Sequence, residues 1–177
     1  ALSGSLQMVL AEISLCEQSM RDSEEQLARW HADDDIVHKL DEVSGIGLLT
    51  ASALKTAVGK PERFASGRHL SAWLGMTPNE YSSGERRRLG CISCKGNTYV
   101  RTLLIHGARA ALLAAKRCQT RTPERLTQLQ RWALQTAERI GHNKAAVALA
   151  NKLVRICWAV WCHERRFSGD WQSARPA

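Results

Sequence analysis

The first thirty residues carry apolar positions that recur with a seven-residue period. The steps between them alternate between four and three, and Ser23 is the one polar break. Such spacing predicts one long helix whose apolar seam needs a second helix to cover it, so we expect a coiled coil. An ordinary amphipathic helix packed on its own domain is the alternative. The seam consists of Leu2, Leu6, Val9, Ile13, Cys16, Met20, Ser23, Leu27 and Trp30.

After this segment, short apolar stretches with a helical period follow one another, and no alternating strand pattern appears. Gly45-Ile46-Gly47 separates one apolar segment from a helix predicted to begin near Leu48. Another helix is predicted from Gly67 through Leu74, and Asn97 is the predicted N-cap of a long helix from Tyr99 to Lys116. The fold class predicted by this pattern is all-α.

Two further helix boundaries follow from proline and glycine. Thr122-Pro123 predicts a helix start, because proline is tolerated at the first helical position. Gly141 predicts the end of that helix, and Asn143 predicts the cap of a last helix from Lys144 to about His163. The expected organisation is a coiled-coil helix and linker over 1–39, a core with a helix-hairpin-helix over 40–122, and completing helices over 123–177.

Charge is distributed unevenly along the chain. Residues 1–44 carry three Lys or Arg against ten Asp or Glu, whereas residues 60–125 carry thirteen against four. A basic middle segment in a chain of net charge +8 indicates a polyanionic partner, most simply nucleic acid. No apolar run approaches the roughly 18 residues that a membrane span needs, so we expect no membrane partner.

The six cysteines occur without a recognisable secretion signal, so we expect reduced thiols and a cytoplasmic protein. Cys91-Ile92-Ser93-Cys94 has the spacing of half a tetrahedral zinc site. A second close pair is missing, because Cys157 and Cys162 are five positions apart on an apolar helix. We therefore predict no metal site in this chain.

Gly45 and Gly47 have a possible chemical role. The segment from Leu40 to Leu54 has the order helix, Gly-x-Gly, helix. Glycines let backbone N–H groups approach a phosphate closely, and the following helix adds the positive end of its dipole. This order predicts a helix-hairpin-helix that holds a nucleic-acid backbone without reading sequence. A plain helical hairpin is the alternative.

The segment "PNEYSSGERRR", residues 78–88, places two serines before three arginines. A serine hydroxyl is a weak nucleophile unless a base takes its proton and the developing charge is stabilised. Arginine suits the charge that develops on phosphoryl oxygens, because its guanidinium presents a fork of donors. A serine beside a glycine is otherwise a common turn. The cations near Ser83 are Arg86, Arg87, Arg88, Lys95 and Arg101.

Three blocks in order carry a resemblance to a known family. They are Gly-x-Gly, then Leu-x-Gly-x-x-Pro-x-x-Tyr-x-Ser-Gly, then Lys-Gly-Asn-x-x-x-Arg, within residues 40–113, with further similarity over 141–161. The chain resembles the C-terminal transposase domain of the insertion-sequence family numbered one-ten. These are the Piv/MooV-type DNA recombinases, whose known members are guided by a bridge RNA. The heptad segment resembles the coiled coil that joins this domain to a RuvC-like nuclease domain.

The resemblance implies a recombinase that acts on DNA with a guide RNA. The family serine falls in Tyr-x-Ser-Gly, so Ser83 is the expected nucleophile and Ser82 its neighbour. Attack on a phosphodiester would give a phosphoserine link and release a 3′-hydroxyl. In the family, carboxylates of the RuvC-like domain hold Mg²⁺, and this chain contains no such domain. We therefore expect no recombination by the chain alone. From the heptad helix, we expect homo-oligomers. A non-catalytic nucleic-acid-binding module is the alternative.

Overall fold

The computed structural model describes residues 2–86 and 88–170. Helices dominate this part of the chain, which confirms the all-α class. Short 3₁₀ turns at Pro61–Arg63 and Pro123–Arg125 and one two-stranded hairpin complete it. The elements are α1 Leu2–Trp30, α2 Asp35–Asp41, α3 Leu48–Val58, α4 Gly67–Trp73, β1 Pro78–Glu80, β2 Leu89–Ile92, α5 Thr98–Arg121, α6 Gln128–Ile140 and α7 His142–Cys162.

The chain divides into two compact units, and the boundary follows Asp35. The first unit is α1, a single helix of 29 residues. On its surface, Glu17 pairs with Arg21 and Glu25 pairs with Arg29, each across one helical turn. Exposed ion pairs of this kind contribute little to stability. Its apolar seam is exposed: Leu6, Val9, Ile13 and Met20 are 49–64% accessible. The structure thus confirms the long helix, and the coiled coil stays a prediction.

The second unit has a core of buried aliphatic side chains around two long helices. Helix α7 contacts α4, α5 and α6, and α5 also contacts α3 and α6. Each completely buried leucine adds about 1.5–3 kcal/mol of burial free energy, so this set accounts for the fold's main driving force. The leucines below 2% exposure are Leu40, Leu54, Leu70, Leu74, Leu104, Leu112, Leu149 and Leu153.

Several predicted boundaries are confirmed. Helix α3 begins at Leu48, and α4 begins at Gly67. Asn97 caps α5, because its side-chain oxygen accepts the Val100 N–H at 3.1 Å. Gly141 ends α6 with a φ of +85°, and its N–H donates to the Ala137 carbonyl.

Three boundary predictions are wrong. Helix α5 continues beyond the predicted end at Lys116 to Arg121. Thr122-Pro123 begins a 3₁₀ turn, and α6 begins five residues later, after Thr127. The reason is a stronger local signal: Thr127 and Gln130 form a capping box with reciprocal side-chain bonds of 3.3 and 3.0 Å. Asn143 does not cap α7, since that helix already begins at His142, directly after Gly141.

Helix α7 is also the one helix in the described residues with the length and composition of a membrane span. An 18-residue window within it has a mean hydropathy of 1.4, and half of the window is buried inside the fold. Its contacts with α4, α5 and α6 explain this apolar character as that of a core helix.

Candidate functional site: a serine hairpin beside a basic surface

Ser83 lies at the tip of a β-hairpin that the sequence pattern did not predict. Strand β1 pairs antiparallel with β2, and Pro78 lies opposite Ile92. Beyond the strands, the Ser83 and Arg86 backbones exchange two hydrogen bonds, of 3.3 and 3.1 Å. Gly84 has a φ of +56°, which the first central position of a type II′ turn requires. Ser83 is therefore the residue directly before the two central residues of the turn, at the exposed tip of the hairpin.

Glycine and tyrosine shape the middle of the hairpin. A side-chain carbon at Gly90 would lie 2.9 Å from Cε2 of Tyr81, so the absent side chain leaves room for the ring. The ring is nonetheless 67% exposed. The Tyr81 N–H donates to the Arg88 carbonyl at 2.8 Å, which continues the pairing toward the tip.

The base of the hairpin is fixed to the helical core. Asn151 of α7 donates from Nδ2 to the Met76 carbonyl at 2.9 Å. The Ser93 N–H donates to the Thr77 carbonyl at 2.8 Å. Gly75, with a φ of +71°, lies against the Lys95 backbone so closely that a side chain has no room there. The hairpin thus has a fixed base, although its tip is exposed.

The two serines differ in their partners. The Ser82 hydroxyl donates to Oε1 of Glu80 at 2.7 Å and accepts the Arg88 N–H at 3.1 Å. It therefore ties the two arms of the hairpin together. Within residues 2–86 and 88–170, the Ser83 hydroxyl makes no hydrogen bond and is exposed. Of the pair, Ser83 is the one whose oxygen is available to an incoming group.

The predicted cations divide into three cases. Arg86, Arg88 and Lys95 are exposed, the first two on the hairpin arm that follows Ser83. Arg87 lies outside the described residues. Arg101 does not match the expectation of an exposed phosphate ligand, because it is only 8% exposed.

Arg101 has a structural position. Its Nη1 donates to the Leu74 carbonyl at 3.2 Å and its Nη2 to the Thr98 hydroxyl at 3.1 Å. These bonds join the start of α5 to the end of α4, directly before the hairpin. Since both terminal nitrogens already have partners, we assign Arg101 to holding the hairpin base.

The two glycines of the Gly-x-Gly turn also differ. At Gly45, with a φ of +92°, a side-chain carbon would lie 2.9 Å from the Gly107 carbonyl oxygen and from Cβ of Ala111. Its absent side chain therefore serves close packing on α5. Gly47 is exposed, and a side-chain carbon there would meet nothing within 4 Å. No side chain caps the N-terminus of α3 at Gly47, so only this part of the turn is open to an anion.

Comparison with known proteins identifies relatives of this chain. Residues 37–123, which include α3, the hairpin and α5, match the sequence model described as the Transposase IS116/IS110/IS902 family. This part of the chain is thus similar to the IS116/IS110/IS902 transposase family. A probable family 20 transposase of Pseudomonas aeruginosa is 40% identical over 153 residues, which cover 86% of this chain and 43% of the relative.

Two further transposases of insertion-sequence elements extend the similarity. The one for IS1111A of Coxiella burnetii is 34% identical over 162 residues, or 92% of this chain and 43% of the relative. The one for IS1328 of Yersinia enterocolitica is 35% identical over 154 residues, or 87% of this chain and 44% of the relative. The chain thus spans less than half the length of these curated relatives.

The cysteine thiols of this chain differ in their exposure. Cys91 and Cys94 are exposed beside the hairpin base. Cys157 is buried in α7, and burial raises the pKa of its thiol to about 12. In the described part of the chain, no three His, Cys, Asp or Glu side chains are grouped as metal ligands.

Three residues of this site were not predicted from the sequence. Glu80 and Asn151 form the hydrogen bonds that hold the hairpin, and Gly90 accommodates the Tyr81 ring. The Ser83-Gly84 pair was the available signal for a tight turn. Nothing in the sequence could identify Asn151, because its partner lies 75 positions away.

Proposed function

We propose that this chain is the serine-bearing part of a DNA transposase. The observation that carries the proposal is the position of Ser83, exposed at the tip of a fixed hairpin and followed by Arg86 and Arg88. The family match and the relatives named as transposases support the reaction class. The partners proposed are DNA and, from the family resemblance, a guide RNA.

In the proposed reaction, the Ser83 Oγ attacks the phosphorus of a DNA phosphodiester. A Ser83 Oγ–P bond forms, the P–O3′ bond breaks, and the leaving oxygen becomes a 3′-hydroxyl on gaining a proton. Attack of another 3′-hydroxyl on the phosphoserine reverses these changes and restores the serine. Because one phosphoester is exchanged for another, strand exchange needs no ATP. Exposed arginines of the hairpin stabilise charge on the non-bridging oxygens.

Two features of the whole protein remain part of the proposal. Mg²⁺ is expected in a RuvC-like domain outside this chain, whose carboxylates would assist Ser83. The exposed seam of α1 is expected to pair with a second copy of the same helix, because a heptad seam favours a like partner. The 177-residue chain alone should therefore bind DNA without rejoining strands, and strand rejoining by the purified chain would contradict this.

The decisive experiment is Ser83→Ala in a full-length transposase that contains this chain. We expect strand exchange and the covalent DNA link to disappear while DNA binding is retained. Ser168→Ala is the matched control, since it removes an exposed serine hydroxyl that also precedes a glycine but lies outside the hairpin. Unchanged exchange by Ser83→Ala would refute the nucleophile.

A second candidate function is a non-catalytic nucleic-acid-binding module. The exposed Gly47 and the N-terminus of α3 favour it, because no side chain caps the first N–H groups of that helix. In this case Ser83→Ala would leave both binding and strand exchange intact. The covalent DNA–protein link, detected after denaturation, separates the two functions.

A further inference from the structure

Three basic side chains lie together on α4 and α7, outside the serine hairpin. A side-chain carbon at Gly67 would lie 2.9 Å from Cα of Arg155, so the start of α4 lies directly on α7 at that residue. Arg68 follows Gly67 and is close enough to Arg155 for their charges to interact. Lys152 precedes Arg155 by three positions, which places both on one side of α7. We call Arg68, Lys152 and Arg155 the α4/α7 cluster.

The α4/α7 cluster is held without carboxylates. The Lys152 ammonium lies over the Trp132 ring, 4.1 Å from its centroid, so an aromatic face takes the place of an acid. Among the described residues, none of the three cations forms a salt bridge. Glu62 follows Pro61, whose carbonyl accepts a hydrogen bond from Trp158 about one turn beyond Arg155, but Glu62 forms no salt bridge with these cations.

This arrangement is unfavourable in the free protein. Partial burial lowers the pKa of Lys152, and the neighbouring Arg155 lowers it further. Partial burial likewise lowers the pKa of Arg155, and Arg68 adds to the effect. Like charges grouped in this way reduce stability unless an anion joins them, and such local conflicts are expected at functional sites.

The cluster is close in sequence and space to the hairpin base. Asn151, which donates to the Met76 carbonyl, directly precedes Lys152 on α7. Arg155 follows Asn151 by four positions, so both lie on the side of α7 that faces α4 and the hairpin base. A polynucleotide that reaches the hairpin can therefore continue onto this surface.

We propose that Arg68, Lys152 and Arg155 form a second phosphate-binding surface, which takes the backbone of a nucleic-acid segment beyond the one at Ser83. The inference rests on the proposed nucleic-acid function and adds a separate contact to it. Duplex DNA and structured RNA present the same phosphate chemistry, and the experiment distinguishes them.

The test measures how the affinity of the 177-residue chain depends on salt. The probes are a short random-sequence DNA duplex and an RNA hairpin, each titrated between about 50 and about 200 mM salt. The test variant is Arg68→Gln/Lys152→Gln/Arg155→Gln. Its matched control is Lys116→Gln/Arg117→Gln/Arg121→Gln, which removes the same charge from exposed positions of α5.

Each phosphate contact contributes about 0.9 to the slope of log affinity against log salt, so three lost contacts reduce the slope by about 2–3. The control should lose less than about 1. The thermal midpoint of the cluster variant should stay the same or rise, because mutual repulsion is removed. The single variant Arg68→Gln changes an exposed position of α4, and its slope should fall by about 1. It tests the inference even if the triple variant does not fold.

A reduced slope with the DNA duplex assigns the surface to DNA, and a reduced slope with the RNA hairpin assigns it to RNA. Equal slopes for the cluster and control variants would overturn the inference, as would absence of binding to both probes. If polyglutamate binds the cluster as strongly as the nucleic acids do, the inference is also overturned, because the partner would then be an acidic protein. Unchanged strand exchange by Ser83→Ala, together with the expected loss of slope in the cluster variant, would refute the proposed reaction and leave this inference standing.

Discussion

The clearest structural prediction separates Gly45 from Gly47, which the sequence treats alike. Gly45→Ala places a methyl group at a φ of +92° and 2.9 Å from both the Gly107 carbonyl oxygen and Cβ of Ala111. The backbone conformation costs roughly 1–2 kcal/mol and the overpacking about 1–3 kcal/mol. Gly47→Ala meets open space, so its unfolding free energy should change by less than about 0.5 kcal/mol.

Urea unfolding of the chain, followed by tryptophan fluorescence, measures the difference. With a summed loss of about 2–5 kcal/mol and an m-value of ~1.5 kcal/mol/M, the midpoint of Gly45→Ala falls by about 1–3 M. Gly47→Ala keeps the wild-type midpoint and weakens DNA binding if the α3 N-terminus contacts phosphate. A wild-type midpoint for Gly45→Ala, or equal destabilisation by both substitutions, would refute the reasoning.

Three other predictions follow from the structure. Arg101→Ala should lower the unfolding free energy by about 1–3 kcal/mol because it removes two hydrogen bonds, whereas Lys95→Ala should change it little; urea unfolding compares them. The raised pKa of Cys157 keeps its thiol protonated in the fold, while the thiol of the unfolded chain ionises around its ordinary pKa of 9.0. Unfolding free energy should therefore fall between pH 9.0 and about 12, and less steeply in Cys157→Ala. Ile13→Asp/Met20→Asp should reduce self-association in sedimentation, and an unchanged oligomer would contradict the coiled coil.

The sequence predicted elements whose signals are local. Asn97 caps α5 through a bond to Val100 only three positions away, and Gly141 ends α6 through its own backbone conformation. Pro123 misled the prediction because a proline that permits a helix start also permits a 3₁₀ turn. The capping box at Thr127 and Gln130 then determined the start of α6.

The candidate site was less predictable because its geometry depends on distant partners. The burial of Arg101 follows from the Leu74 carbonyl, 27 positions earlier. The packing role of Gly45 follows from Gly107 on another helix. The hairpin strands are three and four residues long and mostly exposed, so they have no alternating apolar pattern to detect.

The geometry of the hairpin explains why the chain alone should lack activity. The Ser82 hydroxyl donates to the carboxylate of Glu80 on its own arm and accepts the Arg88 N–H from the other arm, so that carboxylate already has a serine partner. In the described residues, the Ser83 hydroxyl has no carboxylate or imidazole within hydrogen-bond distance to accept its proton. A serine without such a base is a weak nucleophile, however well nearby arginines bind phosphate. In the proposed reaction, we therefore expect the proton acceptor to come from the DNA-bound assembly, to which the exposed Ser83 is accessible.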